Sequence, residues 1–311
     1  MEINNPHDRG YKSLLASEEI FLQLLQSFVD MGWVSQIDPE AVTRIDTTQI
    51  LPDFSEKEAD LVYRLKIKGQ EVIFYLLMEL QSSVDFQMPY RLLTYMMGIW
   101  RDVLKNTGPK EVQRKEFRLP PIVPVVLYNS KERWTACRSF KEILAEAELF
   151  KEFVVDFKYI LIDVNRYDKQ NLKDLTNIIG TVFLLEQAKD VKEIMKDLLG
   201  IGPILRKFDA KSFQLFASWL KVILTARLPE KAKQEIIKIL EESRPEEAEK
   251  MVTNIEKIIE EGLMAGKMEG ILEGKMEDAK KMMTKNMPED LIIEITGLSV
   301  EQIRKIKSEF H

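Results

Sequence analysis

The chain has 311 residues, 45% of them hydrophobic and 31% charged, with a formal net charge of −6. That describes a globular protein of one large or two ordinary domains, with enough apolar mass to fold without cross-links. One cysteine, Cys137, and two histidines, His7 and His311, exclude an internal disulfide, a cysteine-built zinc site, an HExxH site and a two-histidine iron site.

Residues 8–30 carry Leu14, Leu15, Ile20, Phe21, Leu24, Leu25 and Phe28 at helical spacing, which predicts a helix. A polar stretch with Pro39 and Pro52 follows. ADLVYRLKI then alternates, with Leu61, Tyr63, Leu65 and Ile67 on one face, and EVIFYLLMEL is apolar on both faces, as a central strand is. Lys68-Gly69-Gln70 between them predicts a hairpin. Residues 86–105 have a helical period, 121–128 (PIVPVVLY) read as a strand, 139–149 as a helix and 157–164 as a strand. Beyond about 170 every segment reads as helical: 171–188, 190–199, 211–226, 230–243, 246–262 and a tail. Boundaries fall near 168 and 245.

The hairpin carries the chemistry. A two-residue loop at Gly69-Gln70, with glycine first as a type II′ turn prefers, sets Asp60 directly opposite Glu79 on one face of the sheet, with Gln81 following on that face. Two carboxylates side by side repel, and desolvating them is costly. A divalent cation resolves both problems, and two carboxylates with an amide oxygen suit Mg²⁺ or Mn²⁺ and the hydrolysis of a phosphodiester. The same spacing also fits a capping Asp60 and an exposed, arginine-paired Glu79.

ADLVYRL and LLMELQSSVDFQMPYRLLTYMMGIW, together with His7-Asp8, Tyr11-Lys12, PPIVPVVLYN and the Gly/Glu-repeating tail, resemble the Rpn, or YhgA-like, family of recombination-promoting nucleases and transposase-like proteins. That family lies within the PD-(D/E)XK nuclease superfamily. The resemblance implies an α/β fold: a nuclease-like core with a mixed central sheet flanked by helices (1–168), a helical region packed on that core (169–245) and a helical tail (246–311). Its first strand is expected within 41–50. It implies a metal-dependent DNA endonuclease linked to recombination or mobile elements, with Asp60 and Glu79 holding Mg²⁺ or Mn²⁺ and Gln81 completing the catalytic set. Arg91 and Tyr95 match the helix pair that would contact DNA or phosphate, and Asp8 is a further candidate ligand or a helix cap. Gln81 departs from the superfamily's lysine and cannot supply its charge. Lys66, about 20 Å along the strand from Asp60, cannot replace it. A catalytically degenerate fold acting as a DNA-binding or oligomerising module is the alternative.

Other residues are plainer. Tyr128 and Trp134 read as packing residues and Cys137 as a small buried one. Residues 101–118 hold six basic against three acidic residues, a mild patch in a chain without basic surplus. Gly262, Gly266, Gly270 and Gly274, four residues apart, suggest a flexible linker or a seam for self-association through the C-terminal helices. MPEDLIIEITGLSVEQIRKIK resembles a helix-turn-helix end. No apolar run approaches the roughly 18 residues of a membrane span, and the first residues lack the layout of a secretory signal, so the expected location is the cytoplasm.

Overall fold

The computed structural model describes residues 6–45, 61–80, 83–225, 228 and 230–309. The chain opens with two helices, α1 (Pro6–Leu15) and α2 (Glu18–Phe28), where the periodicity predicted one. Ser17 is the break: it is extended (φ −75°, ψ 124°), and Glu18 and Glu19 follow it in the first turn of α2, where the helix dipole favours acids. Strand β1 (Thr43–Ile45) falls inside the 41–50 window. It begins a five-stranded mixed sheet in the order β1-β2-β3-β4-β5, with β2 (Leu61–Ile67), β3 (Gln70–Leu80), β4 (Ile122–Asn129) and β5 (Ile160–Asp163). β1, β2 and β3 are antiparallel neighbours, whereas β3, β4 and β5 run parallel.

The β2–β3 hairpin forms with a different turn from the one expected. Ile67 pairs with Gln70 and Leu61 with Leu76, so the loop is Lys68-Gly69. Both residues have positive φ (51° and 77°), the type I′ turn whose twist matches the strands. The register of the described pairs is therefore two residues short of the expected one, and Asp60, whose opposition to Glu79 rested on that register, lies outside the described residues.

The two faces of β3 bury different partners. Leu65, Phe74, Leu76 and Met78 join a large core with α1, α2 and the C-terminal helices, while Ile73, Tyr75 and Leu77 face α3 (Met88–Asn106) through Met88, Leu92, Tyr95, Met96 and Ile99. Phe21 stacks on Tyr63 with ring centroids 3.9 Å apart, and the Tyr63 hydroxyl donates to the Leu15 carbonyl, satisfying an end of α1. After α3 come the single-turn α4 (Pro109–Val112) and β4.

Residues 139–149 are largely irregular instead of the expected helix, with only α5 (Ala147–Phe150) as a turn of α-helix. The Ser139 hydroxyl and the Lys141 amide both donate to Asp156, and the Phe140 amide to the Phe157 carbonyl, so the donors a helix would use are spent on the 156–158 segment. Glu146 and Lys151 at positive φ complete the break.

The remainder is helical: α6 (Lys169–Asp174), α7 (Ile178–Glu186), α8 (Val191–Leu205), α9 (Ala210–Thr225), α10 (Glu230–Glu242), α11 (Ala248–Thr284), α12 (Glu289–Thr296) and α13 (Val300–Glu309). Helix α7 is buried all round from Ile178 to Leu185, the pattern of a core helix, and Asn177 caps it through the Gly180 amide at 2.9 Å. The glycine-rich stretch is no loop but the middle of α11, a single helix of 37 residues. Its start packs into the large core through Met251, Val252, Ile255 and Ile259, and its end joins α12 and α13 in a separate small core around Ala279, Ile292, Leu298, Ile303 and Ile306. No helix among the described residues is long and apolar enough to cross a membrane.

Candidate active site at the end of the central strand

Three parallel strands end together. Glu79 is registered with Tyr128, Tyr128 with Asp163, and Leu80 with Asn129, so positions 79, 128 and 163 form a row across the carboxyl ends of β3, β4 and β5. Carboxyl ends of parallel strands are where open α/β sheets bind ligands. Ile73, Tyr75 and Leu77 face α3, and Glu79 is the next odd position of that strand. Asp60 and Gln81 lie outside the described residues. For Glu79 and for Asp8, inside the first turn of α1, only the backbone position is described.

Helix α3 brings the other two candidates to this side of the sheet. Tyr95 is 2% exposed, its ring 5.0 Å from that of Tyr75. Arg91, one turn earlier and half-buried, donates from Nη1 to Asp85 Oδ2 at 2.5 Å. Tyr95 thus packs against the middle of β3, while Arg91, one turn nearer the start of α3, is held by an acid. From the end of α3 onward, Arg101, Lys105, Lys110, Arg114, Lys115 and Arg118 are all exposed.

Tyr128 and Trp134 do pack, edge to face with centroids 4.8 Å apart. Trp134 Nε1 donates to the Tyr159 hydroxyl, which donates to the Cys137 carbonyl, both at 2.8 Å, and burial pushes the Tyr159 phenol up to about 12. Cys137 is half-buried instead of buried. Burial also raises Asp163 above the usual carboxylate range, outweighing Arg166, whose Nε is 3.5 Å away. Among the described residues the buried Tyr128 hydroxyl and Asp163 Oδ1 have no hydrogen-bond partner.

On the opposite face of the sheet lies a polar network that reading the sequence missed. Asn129 is 5% exposed; its Nδ2 donates to Glu186 Oε2 at 2.8 Å, and its Oδ1 accepts from Asn165 Nδ2 at 2.8 Å. Tyr11 is buried nearby, its phenol raised by desolvation and by the Glu186 charge. The signal available was an asparagine closing an apolar strand in VVLYN. Its partners are 36 and 57 residues away, and nothing local names them. Among the described residues no three His, Cys, Asp or Glu side chains cluster closely enough to share a cation.

A five-stranded mixed sheet flanked by helices, continued by a helical region, defines a mixed α/β protein. A family model described as "Putative transposase, YhgA-like" matches residues 5–215. The chain belongs to that family. No curated protein and no solved structure matches it.

Proposed function

We propose that the chain is a metal-dependent DNA endonuclease that hydrolyses phosphodiester bonds, linked to mobile elements as its family's description suggests. The observation that supports this most is the position of Glu79: an acid ending the central strand, in register with Tyr128 and Asp163, beside the helix that carries Arg91 and Tyr95. An acid at the end of such an apolar strand needs a partner, and a cation or an arginine can supply it.

The donor set fits a hard divalent cation. Asp60, Glu79 and the Gln81 amide offer oxygen only, which suits Mg²⁺ or Mn²⁺ and not a thiolate-seeking metal. When bound, such an ion polarises a phosphoryl oxygen and eases the deprotonation of water. The protein's own groups do the rest. Arg91 contacts the phosphate from the rim, exchanging part of its bond to Asp85 for a bidentate phosphate contact. Tyr95, packed against Tyr75, helps hold α3, and with it Arg91, against the sheet. Gln81 orients a neighbour by hydrogen bonding but brings no positive charge, so turnover is slower than with a lysine there. The exposed basic residues between Arg101 and Arg118 run on from α3 and provide a surface for the DNA backbone, whose attraction weakens as salt rises.

Plasmid cleavage in Mg²⁺, Mn²⁺ or EDTA tests the proposal. Wild type nicks DNA only with metal, and Asp60→Ala and Glu79→Ala abolish nicking while keeping the circular-dichroism spectrum. Cleavage that survives either substitution refutes the site. DNA binding without cleavage by wild type leaves the degenerate binding module instead.

A further inference from the structure

We infer that α11 is the seam of an antiparallel homodimer whose two-fold axis passes through Met268. The inference rests on the middle of that helix and is independent of the nuclease reading.

The helix is covered at both ends, and between them its described apolar side chains are exposed. Ile259 is the last of its residues in the large core, and Met276 the first to touch the small terminal core. Between these points Met264, Met268, Ile271 and Leu272 are 67%, 70%, 51% and 38% exposed. A Cβ added at Gly262, Gly270 or Gly274 would meet no atom within 4 Å, so among the described residues the side of the helix away from these four is open as well. Single exposed apolar residues are ordinary, but four in successive turns of one helix form a continuous patch.

Helical geometry gathers them. At 100° per residue, positions 261, 264, 268, 271, 272 and 275 fall in one stripe about 100° wide. Gly262, Gly270 and Gly274 lie on the other side. The glycine stripe suggested by the sequence is therefore not the contact; the apolar stripe is. Its ends carry opposite charges, with Glu261 and Lys275 both exposed and each seven residues from Met268.

That symmetry selects the occupant. Lay a second copy of the helix antiparallel, with Met268 on Met268. Met264 then faces Leu272 of the second copy, and Glu261 faces Lys275 of the second copy, at both ends. A parallel, in-register pair instead sets glutamate on glutamate and lysine on lysine, which repels. One surface complementary to itself under a two-fold rotation is an isologous interface. Methionine at its centre and flank adapts to an imperfect facing surface. The stripe is about 21 Å long on a helix about 10 Å across, roughly 200 Å² per partner, well short of the roughly 800 Å² per partner of a standard stable complex, so the dimer is weak and dissociates on dilution.

Sedimentation of the full chain across micromolar concentrations is the test. Wild type shifts from monomer to dimer as concentration rises. Met268→Glu, at an exposed site, keeps its helical content and weakens the dimer by at least about ten-fold. Glu261→Lys alone weakens it, and Glu261→Lys with Lys275→Glu restores it. Direction is read by oxidation in a Cys137→Ser background. Met268→Cys chains cross-link to themselves; Met264→Cys chains do not, but they do cross-link to Leu272→Cys chains. A monomer at every concentration, a dimer indifferent to Met268→Glu, or self-cross-linking by Met264→Cys overturns the inference.

Discussion

Replacing Asn129 by alanine removes the joint between the end of β4 and the end of α7. The side chain makes two bonds there. One, to the Glu186 carboxylate at 2.8 Å, is charge-assisted; the other, from Asn165 at 2.8 Å, is neutral. Hydrogen bonds to charged groups contribute about 1.5–3 kcal/mol and neutral ones about 0.5–1.5 kcal/mol. Asn129 is 5% exposed, so water does not readily replace what is lost. Together these give a cost of about 2–4 kcal/mol for Asn129→Ala. Asn165→Ala gives up its bonds to Asn129 Oδ1 and to the Ser130 carbonyl, both neutral, and costs about 1–3 kcal/mol. Urea unfolding followed by far-ultraviolet circular dichroism measures both. Because Asn129 is registered with Leu80, the residue after Glu79, the variant also loosens the strand ends beside the candidate site. A change within about 0.5 kcal/mol of wild type, or a greater loss for Asn165→Ala than for Asn129→Ala, refutes the assignment of a charge-assisted bond.

Gly180→Ala puts a methyl group 2.8 Å from the Leu172 carbonyl oxygen and 3.0 Å from Leu175. Overpacking costs about 1–3 kcal/mol and exceeds the gain of up to about 1 kcal/mol in helix propensity, so the urea midpoint falls; an unchanged midpoint shows that α6 gives way freely. Asp163 has a raised pKa in the folded state, so the fold binds its proton more tightly than the unfolded chain, and this group's contribution to stability falls as pH rises from the usual carboxylate range through the raised value. The melting temperature of Asp163→Asn relative to wild type therefore climbs between pH 4 and pH 8, and a gap that is flat or shrinking contradicts the burial argument. Asp197, with its side chain 7% exposed, receives Lys169 at 2.8 Å and Lys173 at 3.7 Å. Asp197→Ala costs about 1–3 kcal/mol, and in a double-mutant cycle with Lys169→Ala the two losses fall clearly short of adding, whereas strict additivity would mean the ions do not interact.

The strands and α3 were legible because their periods are unambiguous: β2 alternates, β3 is apolar on both faces, and α3 repeats its buried residues through Met88, Leu92, Tyr95 and Ile99. The turn was misplaced for a local reason. A glycine marks a tight turn, but Lys68 at positive φ costs about 1–2 kcal/mol and is not something a sequence advertises. The segment 139–149 has a helical pattern whose donors are claimed by Asp156 and Phe157, and tertiary competition of that sort lies outside any local window. Glu79 drew attention in the sequence as an acid ending an apolar strand, and Asp60 through the expected hairpin register with it. Asn129, Glu186 and Asn165 did not, because a network closed across 57 residues has no spacing to recognise. The glycines of α11 misled in the opposite direction: each weakens a helix by about 1 kcal/mol, yet the helix runs through all four.

That unbroken helix makes length and angle a single variable. Over 37 residues α11 rises about 55 Å, and each residue turns the chain by 100°. Whatever α12 and α13 carry is therefore aimed as well as spaced by the count of residues between the two cores. Deleting or inserting seven residues in the middle would slide the terminal unit by about 10 Å while nearly keeping its bearing, whereas two residues would move it only about 3 Å and swing it most of the way round to the far side of the rod.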